Sequence, residues 1–170
     1  MICNLTRVSR PRLALLLLVL AGLTAHQALS AAGDKIPSAG DLADSAHRSQ
    51  QQGLPMIVYV SRDACPYCRT LTDSILGPMF AADKFEKRAM LVEVSLDRVD
   101  PLTGFDGELI SGKAFGERYQ ANITPTLLFL DAEGHEISKR RVGISNLELY
   151  GHYLQKSIDE ALAFTRSRVQ

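Results

Sequence analysis

The chain has 170 residues, with 19 basic and 19 acidic side chains and 46% hydrophobic content. That length suits one domain, and the apolar share is ordinary for a globular protein with a core of its own. A net charge of zero leaves no footprint for nucleic-acid binding, and no internal repeat or low-complexity tract is present.

The first 31 residues read as an export leader. Arg7, Arg10 and Arg12 form a basic stretch, Leu13 to Ala25 is an apolar run of 13 residues, and small residues follow at Ala28, Ser30, Ala31 and Ala32. This is the pattern of a secretory signal peptide over 1–31, cut between about Ser30 and Gly33. The run is short for a membrane span, which needs roughly 20 residues. An uncleaved anchor stays open as the alternative, and it would be the chain's one link to a membrane. Cys3 precedes the apolar run, so it is discarded with the leader. The leader holds three arginines and no acid, so its removal leaves 16 basic and 19 acidic residues, a net charge of −3. It also leaves two cysteines, Cys65 and Cys68.

Residues 32–40 read as a polar, proline-containing linker, and 41–166 as one domain. Asp41 to Gln52 has helical patterning, with Asp41 as its cap and Gly53 as its stop. Leu54 to Ser61 is short, apolar and branched, which predicts a buried strand. Cys65-Pro66-Tyr67-Cys68 follows and opens a helical pattern reaching about Leu76. Gly77-Pro78 is expected to break or kink that helix. Ala89 to Leu96 predicts a second strand, parallel to the first because a helix crosses between them.

Asp97 to Lys113 is polar and glycine-containing, and predicts a long surface loop. It reads equally as a solvated insertion or as a partner-recognition segment. Ala114 to Tyr119 predicts a short helix, and Thr126 to Leu130 a third strand. Asp131 to Gly134 is a hairpin turn, and Glu136 to Val142 an antiparallel edge strand. Asn146 caps a final helix to about Thr165. Its apolar face is expected to be Leu149, Tyr153, Leu154, Ile158, Ala161 and Leu162.

The chemistry is carried by the two cysteines. At a strand-to-helix junction, Cys-x-x-Cys is a redox spacing. A sulfur at a helix N-terminus faces unpaired N–H groups and the positive end of the helix dipole. Both favour thiolate, the nucleophile of disulfide exchange. Cys65 is therefore expected to attack, and Cys68, one turn on, to resolve the mixed disulfide. Pro66 fits the first helical turn, where its missing N–H leaves no bond unmade. Two cysteines at this spacing also make half of a zinc site, and soft thiolates suit copper(I). His47, His135 and His152 are scattered and offer no clear second half, so no metal and no cofactor is expected.

With Cys-Pro-Tyr-Cys after the first strand and Thr124-Pro125 before the third, the chain from about Asp41 to Ala163 resembles the thioredoxin superfamily. It is similar to exported bacterial members, including those related to sulfur-oxidation thioredoxins. The resemblance implies an α/β fold, with a central mixed sheet of about four strands flanked by helices. It implies that the Thr124–Pro125 bond is cis and lies beside the cysteines, with the Thr124 backbone pairing with substrate. It implies a periplasmic thiol–disulfide oxidoreductase acting on protein disulfides or thiols. Reduction is the favoured direction, with a membrane thiol-reducing donor as partner. Oxidation or isomerisation of disulfides, and copper(I) or zinc binding, stand as alternatives.

Three departures from the family pattern matter. Ala64 precedes the first cysteine where cytosolic thioredoxin has tryptophan. Pro66-Tyr67 is the glutaredoxin dipeptide, yet Asp131-Ala132-Glu133-Gly134 does not match the glycine-glycine-aspartate that glutaredoxins carry. Tyr59 stands six residues before Cys65, where thioredoxin keeps a buried aspartate as proton acceptor. It reads here as a core residue, which leaves water or an acid such as Glu93 to take the Cys68 proton. Arg62, Asp63 and Arg69 are candidates for tuning the pair.

Overall fold

The computed structural model describes residues 35–168. The leader expected over 1–31, with Cys3, and the start of the expected linker lie outside the described residues. Among the described residues no helix is long and apolar enough to cross a membrane.

Helix α1 spans Leu42–Gln52, and strand β1 spans Met56–Ser61. The Asp41 carboxylate accepts the Asp44 N–H at 2.7 Å and caps α1, while Gly53 ends it at φ +62°, a left-handed conformation that glycine adopts without cost. A helical path then runs from Pro66 to Ala81 in three parts: α2 (Pro66–Leu71), a π turn (Thr72–Leu76) and α3 (Gly77–Ala81).

Of the break or kink expected at Gly77-Pro78, the break is absent: the helical path continues through a wider turn. In α spacing, the proline ring would collide with the carbonyl four residues back. The wider turn avoids this, with the Gly77 N–H donating five residues back to the Thr72 carbonyl. A Cβ on Gly77 would sit 2.9 Å from that carbonyl oxygen, so glycine suits the position.

Strands β2 (Met90–Ser95), β5 (Thr126–Leu130) and β6 (Glu136–Val142) complete one four-stranded sheet with β1, in the order β2-β1-β5-β6. The β1–β2 pair is parallel, and β1–β5 and β5–β6 are antiparallel, so the sheet is mixed. This is the expected α/β fold class. Strands β1 and β5 are central and wholly buried. Their side chains alternate between two cores. Ile57, Tyr59, Leu127 and Phe129 face the core that contains Cys65 and Cys68. Met56, Val58, Val60, Leu128 and Leu130 face the other, with Leu42 and Phe115. β6 is an edge strand, as its run of basic residues suggests.

Three sequence readings are corrected by packing. The segment before Asp41 is not a free linker. Ala39 donates to the Glu93 carbonyl at 2.7 Å, Glu93 donates to the Pro37 carbonyl at 2.8 Å, and Ile36 and Ala39 are buried. The open edge of β2 is thereby covered.

The stretch from Asp97 to Lys113 is not a plain solvated loop. It holds a small hairpin, β3 (Leu102–Thr103) with β4 (Leu109–Ile110), and Leu102 is fully buried. Helix α4 (Gly112–Arg118) follows, capped by Ser111.

The final helix, α5 (Leu147–Arg168), buries Tyr150, Leu154, Ser157, Ile158, Ala161 and Leu162. Leu149 and Tyr153, expected on the inner face, are about half exposed. Tyr150 and Ser157 take the inner positions instead, rotating the buried stripe towards them.

Candidate active site

β1 ends at Ser61, and three loop residues carry the chain to Cys65 at the N-cap of α2. Cys65 has extended backbone, and its sulfur accepts the Cys68 N–H at 3.0 Å. The pair is joined as a disulfide, with Cα atoms 5.2 Å apart. Both cysteines are buried, at 6% and 4% exposure. In the reduced state the same N–H and the helix dipole point at the Cys65 sulfur and favour its thiolate. Pro66 occupies the first helical turn, and Tyr67 stands 64% exposed.

The third strand brings Thr124 and Pro125 to the same place. The Thr124–Pro125 peptide is cis. The Thr124 hydroxyl donates to the Cys65 sulfur at 3.5 Å, and the Thr124 carbonyl oxygen lies 3.7 Å from it. Ile123, just before Thr124 in the chain, is 67% exposed. The six residues of the two sequence motifs thus meet at one site. They are adjacent because β5 runs antiparallel to β1, with Thr126 opposite Val60, so the start of one strand meets the end of the other.

Two of the charged residues near the pair, Arg62 and Asp63, are engaged elsewhere. Arg62 donates to the Asp97 carboxylate at 3.0 Å, and the Asp63 N–H to the same carboxylate at 3.2 Å. They brace the loop against the end of β2. Glu93 accepts from the Ser61 hydroxyl at 2.5 Å. Asp131, Glu133 and His135 come within 4.8 Å at the tip of the β5–β6 hairpin, at the opposite end of the sheet from the cysteines. There the Asp131 carboxylate already accepts the Glu133 and His135 N–H groups of its own turn.

Two buried tyrosines share the core with the cysteines. The Tyr59 hydroxyl donates to the Cys68 carbonyl at 3.1 Å and accepts from the Thr72 hydroxyl at 3.2 Å. Burial raises its pKa against the lowering effect of the Thr72 hydrogen bond, and the charges of Glu93 and Asp73 add to the rise. Thr72 carried no signal in the sequence, because only the helical path sets it over Tyr59.

Tyr150 is the second tyrosine. Burial pushes its hydroxyl up to about 12, and it has no hydrogen-bond partner among the described residues. A phenol with a raised folded pKa keeps its full contribution below its unfolded value of about 10. Stability then falls as pH rises from about 10 to 12, because the folded state holds the proton that the unfolded state releases. Tyr150→Phe is expected to lessen this alkaline loss and to leave neutral-pH stability equal or higher by about 1 kcal/mol. Urea midpoints at pH 8 and pH 11 check both.

Residues 42–158 match the family described as a thioredoxin-like domain. No curated protein matches the chain by sequence. Among solved structures, a chain described as DsbH oxidoreductase superposes with a TM-score of 0.56 at 19% identity, covering 84% of this chain and 98% of its own. A thioredoxin from Thermus thermophilus gives 0.57 at 19% identity, covering 80% and 95%. Trxlp from Edwardsiella tarda gives 0.50 at 22% identity, covering 71% and 98%. At these identities the likeness speaks for the fold, and the match over 42–158 speaks for the family. The chain belongs to the thioredoxin-like domain family, and with its Cys65–Cys68 pair at disulfide distance it is a thiol–disulfide oxidoreductase.

Proposed function

We propose that this oxidoreductase works in the periplasm and reduces disulfides in protein substrates. Cys65 is the nucleophile. Its thiolate attacks one sulfur of a substrate disulfide, the substrate bond breaks, and a mixed disulfide forms. Cys68 then attacks the Cys65 sulfur. The Cys65–Cys68 bond forms, and the substrate leaves with both its sulfurs reduced. The pair is left as a disulfide, and a dithiol donor must return two electrons to it. In an oxidising compartment a membrane thiol-reducing system supplies that role.

One observation carries this reading: Cys65 sits at a helix N-terminus with its sulfur against Thr124, beside a cis proline. An extended substrate segment laid along Thr124 would bring its own disulfide to that sulfur. Tyr67 and Ile123, both exposed, offer apolar contact to such a segment. Threonine before the cis proline resembles the reducing and isomerising exported members more than the dedicated oxidases. The leader pattern read in the sequence over 1–31 supports export.

The reduction potential of the domain from Ala32 onward tests the direction. Equilibration with a thiol buffer of known potential should give a value near that of thioredoxin, about −270 mV. A value nearer about −120 mV would make the protein an oxidase, whose reduced form is the stable one. The absence of any reversible two-electron transition would remove exchange and favour metal binding by the two thiolates.

A further inference from the structure

We propose that Tyr59 is the positioning residue of the resolving step: its buried hydroxyl ties the Cys68 backbone to the central strand and so sets where the Cys68 sulfur stands. The proposal rests on the exchange reading above.

Tyr59 lies in β1, a strand buried on both faces, and is 1% exposed. Its one hydroxyl proton goes to the Cys68 carbonyl, nine residues along the chain. That carbonyl also accepts the Thr72 N–H, so one lone pair serves the helix and the other serves the sheet. The Thr72 hydroxyl donates back to the Tyr59 oxygen. The ring is thus held at both ends, by the core around it and by two bonds at its tip.

This tie matters most when the cysteines are not bonded to each other. In the oxidised pair, the disulfide itself locates Cys68. In the mixed disulfide, Cys65 is bonded to substrate and that link is gone. The Cys68 sulfur must still approach the Cys65 sulfur in line with the departing substrate sulfur. Displacements of about 1 Å in such an alignment cost on the order of a hundredfold in rate. The Cys68 carbonyl keeps its helical bond from the Thr72 N–H, and the Tyr59 hydroxyl adds a second donor to it. That second bond comes from outside the helix and anchors the turn to β1, a buried strand of the sheet.

A second role for this hydroxyl, taking the Cys68 proton, does not fit. Its proton is committed to a carbonyl, and burial holds the phenol neutral through the range where thiols titrate. The Cys68 proton therefore passes to a base other than Tyr59 before the attack, and the attack itself only exchanges one sulfur–sulfur bond for another.

The plain alternative is that Tyr59 fills the core and its hydroxyl merely takes a nearby acceptor. Tyr59→Phe separates the two, because it keeps the ring and removes one oxygen. The two steps are read apart by rapid mixing with a small aromatic disulfide whose thiolate absorbs light. The first step is measured in Cys68→Ser and in Cys68→Ser with Tyr59→Phe. The resolving step is measured as release of the second aromatic thiolate, in wild type and in Tyr59→Phe.

We expect the resolving rate to fall on the order of tenfold, with the first step kept within about twofold. A resolving rate that does not change overturns the proposal. So does an equal slowing of both steps, which would mark general loosening. If Cys68→Ser forms no mixed disulfide at all, the exchange reading itself falls, a result distinct from either.

Discussion

Replacing Cys65 by serine is expected to lower disulfide-exchange activity by a thousandfold or more, on the order seen when an enzyme's nucleophile is removed. Serine keeps the shape and the N-cap bond to the Cys68 N–H, but a hydroxyl is not ionised at neutral pH and cannot attack a disulfide. The companion change has a different signature. Cys68→Ser leaves the first attack intact and removes the release step, so covalent complexes with substrate should accumulate. Non-reducing electrophoresis reads this directly, with bands that collapse on adding a thiol. A Cys65→Ser protein that still turns over substrate, or a Cys68→Ser protein that traps nothing, would sink the assignment of roles. Both variants should fold. The disulfide spans three residues, and the entropy gained by closing so short a loop is small.

The second large effect falls on stability. Phe129 is fully buried in β5, opposite Ile57, in the core that also holds Tyr59, Cys65 and Cys68. Phe129→Ala should cost about 3–5 kcal/mol, since the lost transfer energy adds to that of the cavity left behind. That is a large share of the 5–15 kcal/mol by which a domain of this kind is stable. Urea unfolding should show a lower midpoint with an unchanged slope, as expected when native packing alone is altered. A loss below about 1 kcal/mol would mean that the core around Phe129 collapses to fill the space.

Local patterning carried much of this fold. Asp41 and Gly53 bracket α1 because a carboxylate cap and a left-handed glycine act within a few residues of themselves. Strand β5 ends where its apolar run ends, at Leu130, and Asp131 folds the following turn with its own carboxylate. Asn146 accepts the Leu149 N–H at 3.0 Å for the same local reason. The readings that failed depended on distant partners. Pro37 to Ala39 look like a linker until the open edge of β2 is present to pair with them. Leu102 looks like one apolar residue in a polar loop until the second core is there to receive it. Tyr150 displaces Tyr153 from the buried stripe of α5 because the sheet, not the helix, decides which side faces inward.

The candidate site divides the same way. Cys65, Pro66, Tyr67 and Cys68 announce a redox pair by spacing alone, since the cap, the proline at the first turn and the one-turn separation are properties of a single segment. Thr124 and Pro125 could be named from the sequence, but their contact with Cys65 across 59 residues exists only because β5 runs antiparallel beside β1. The tie from Tyr59 to Cys68 and Thr72 was legible nowhere in the chain. It requires a helix laid over a strand, with a π turn that sets Thr72 in place. Short-range order follows from neighbouring residues. Which side chains share a proton across the core follows from how whole elements pack.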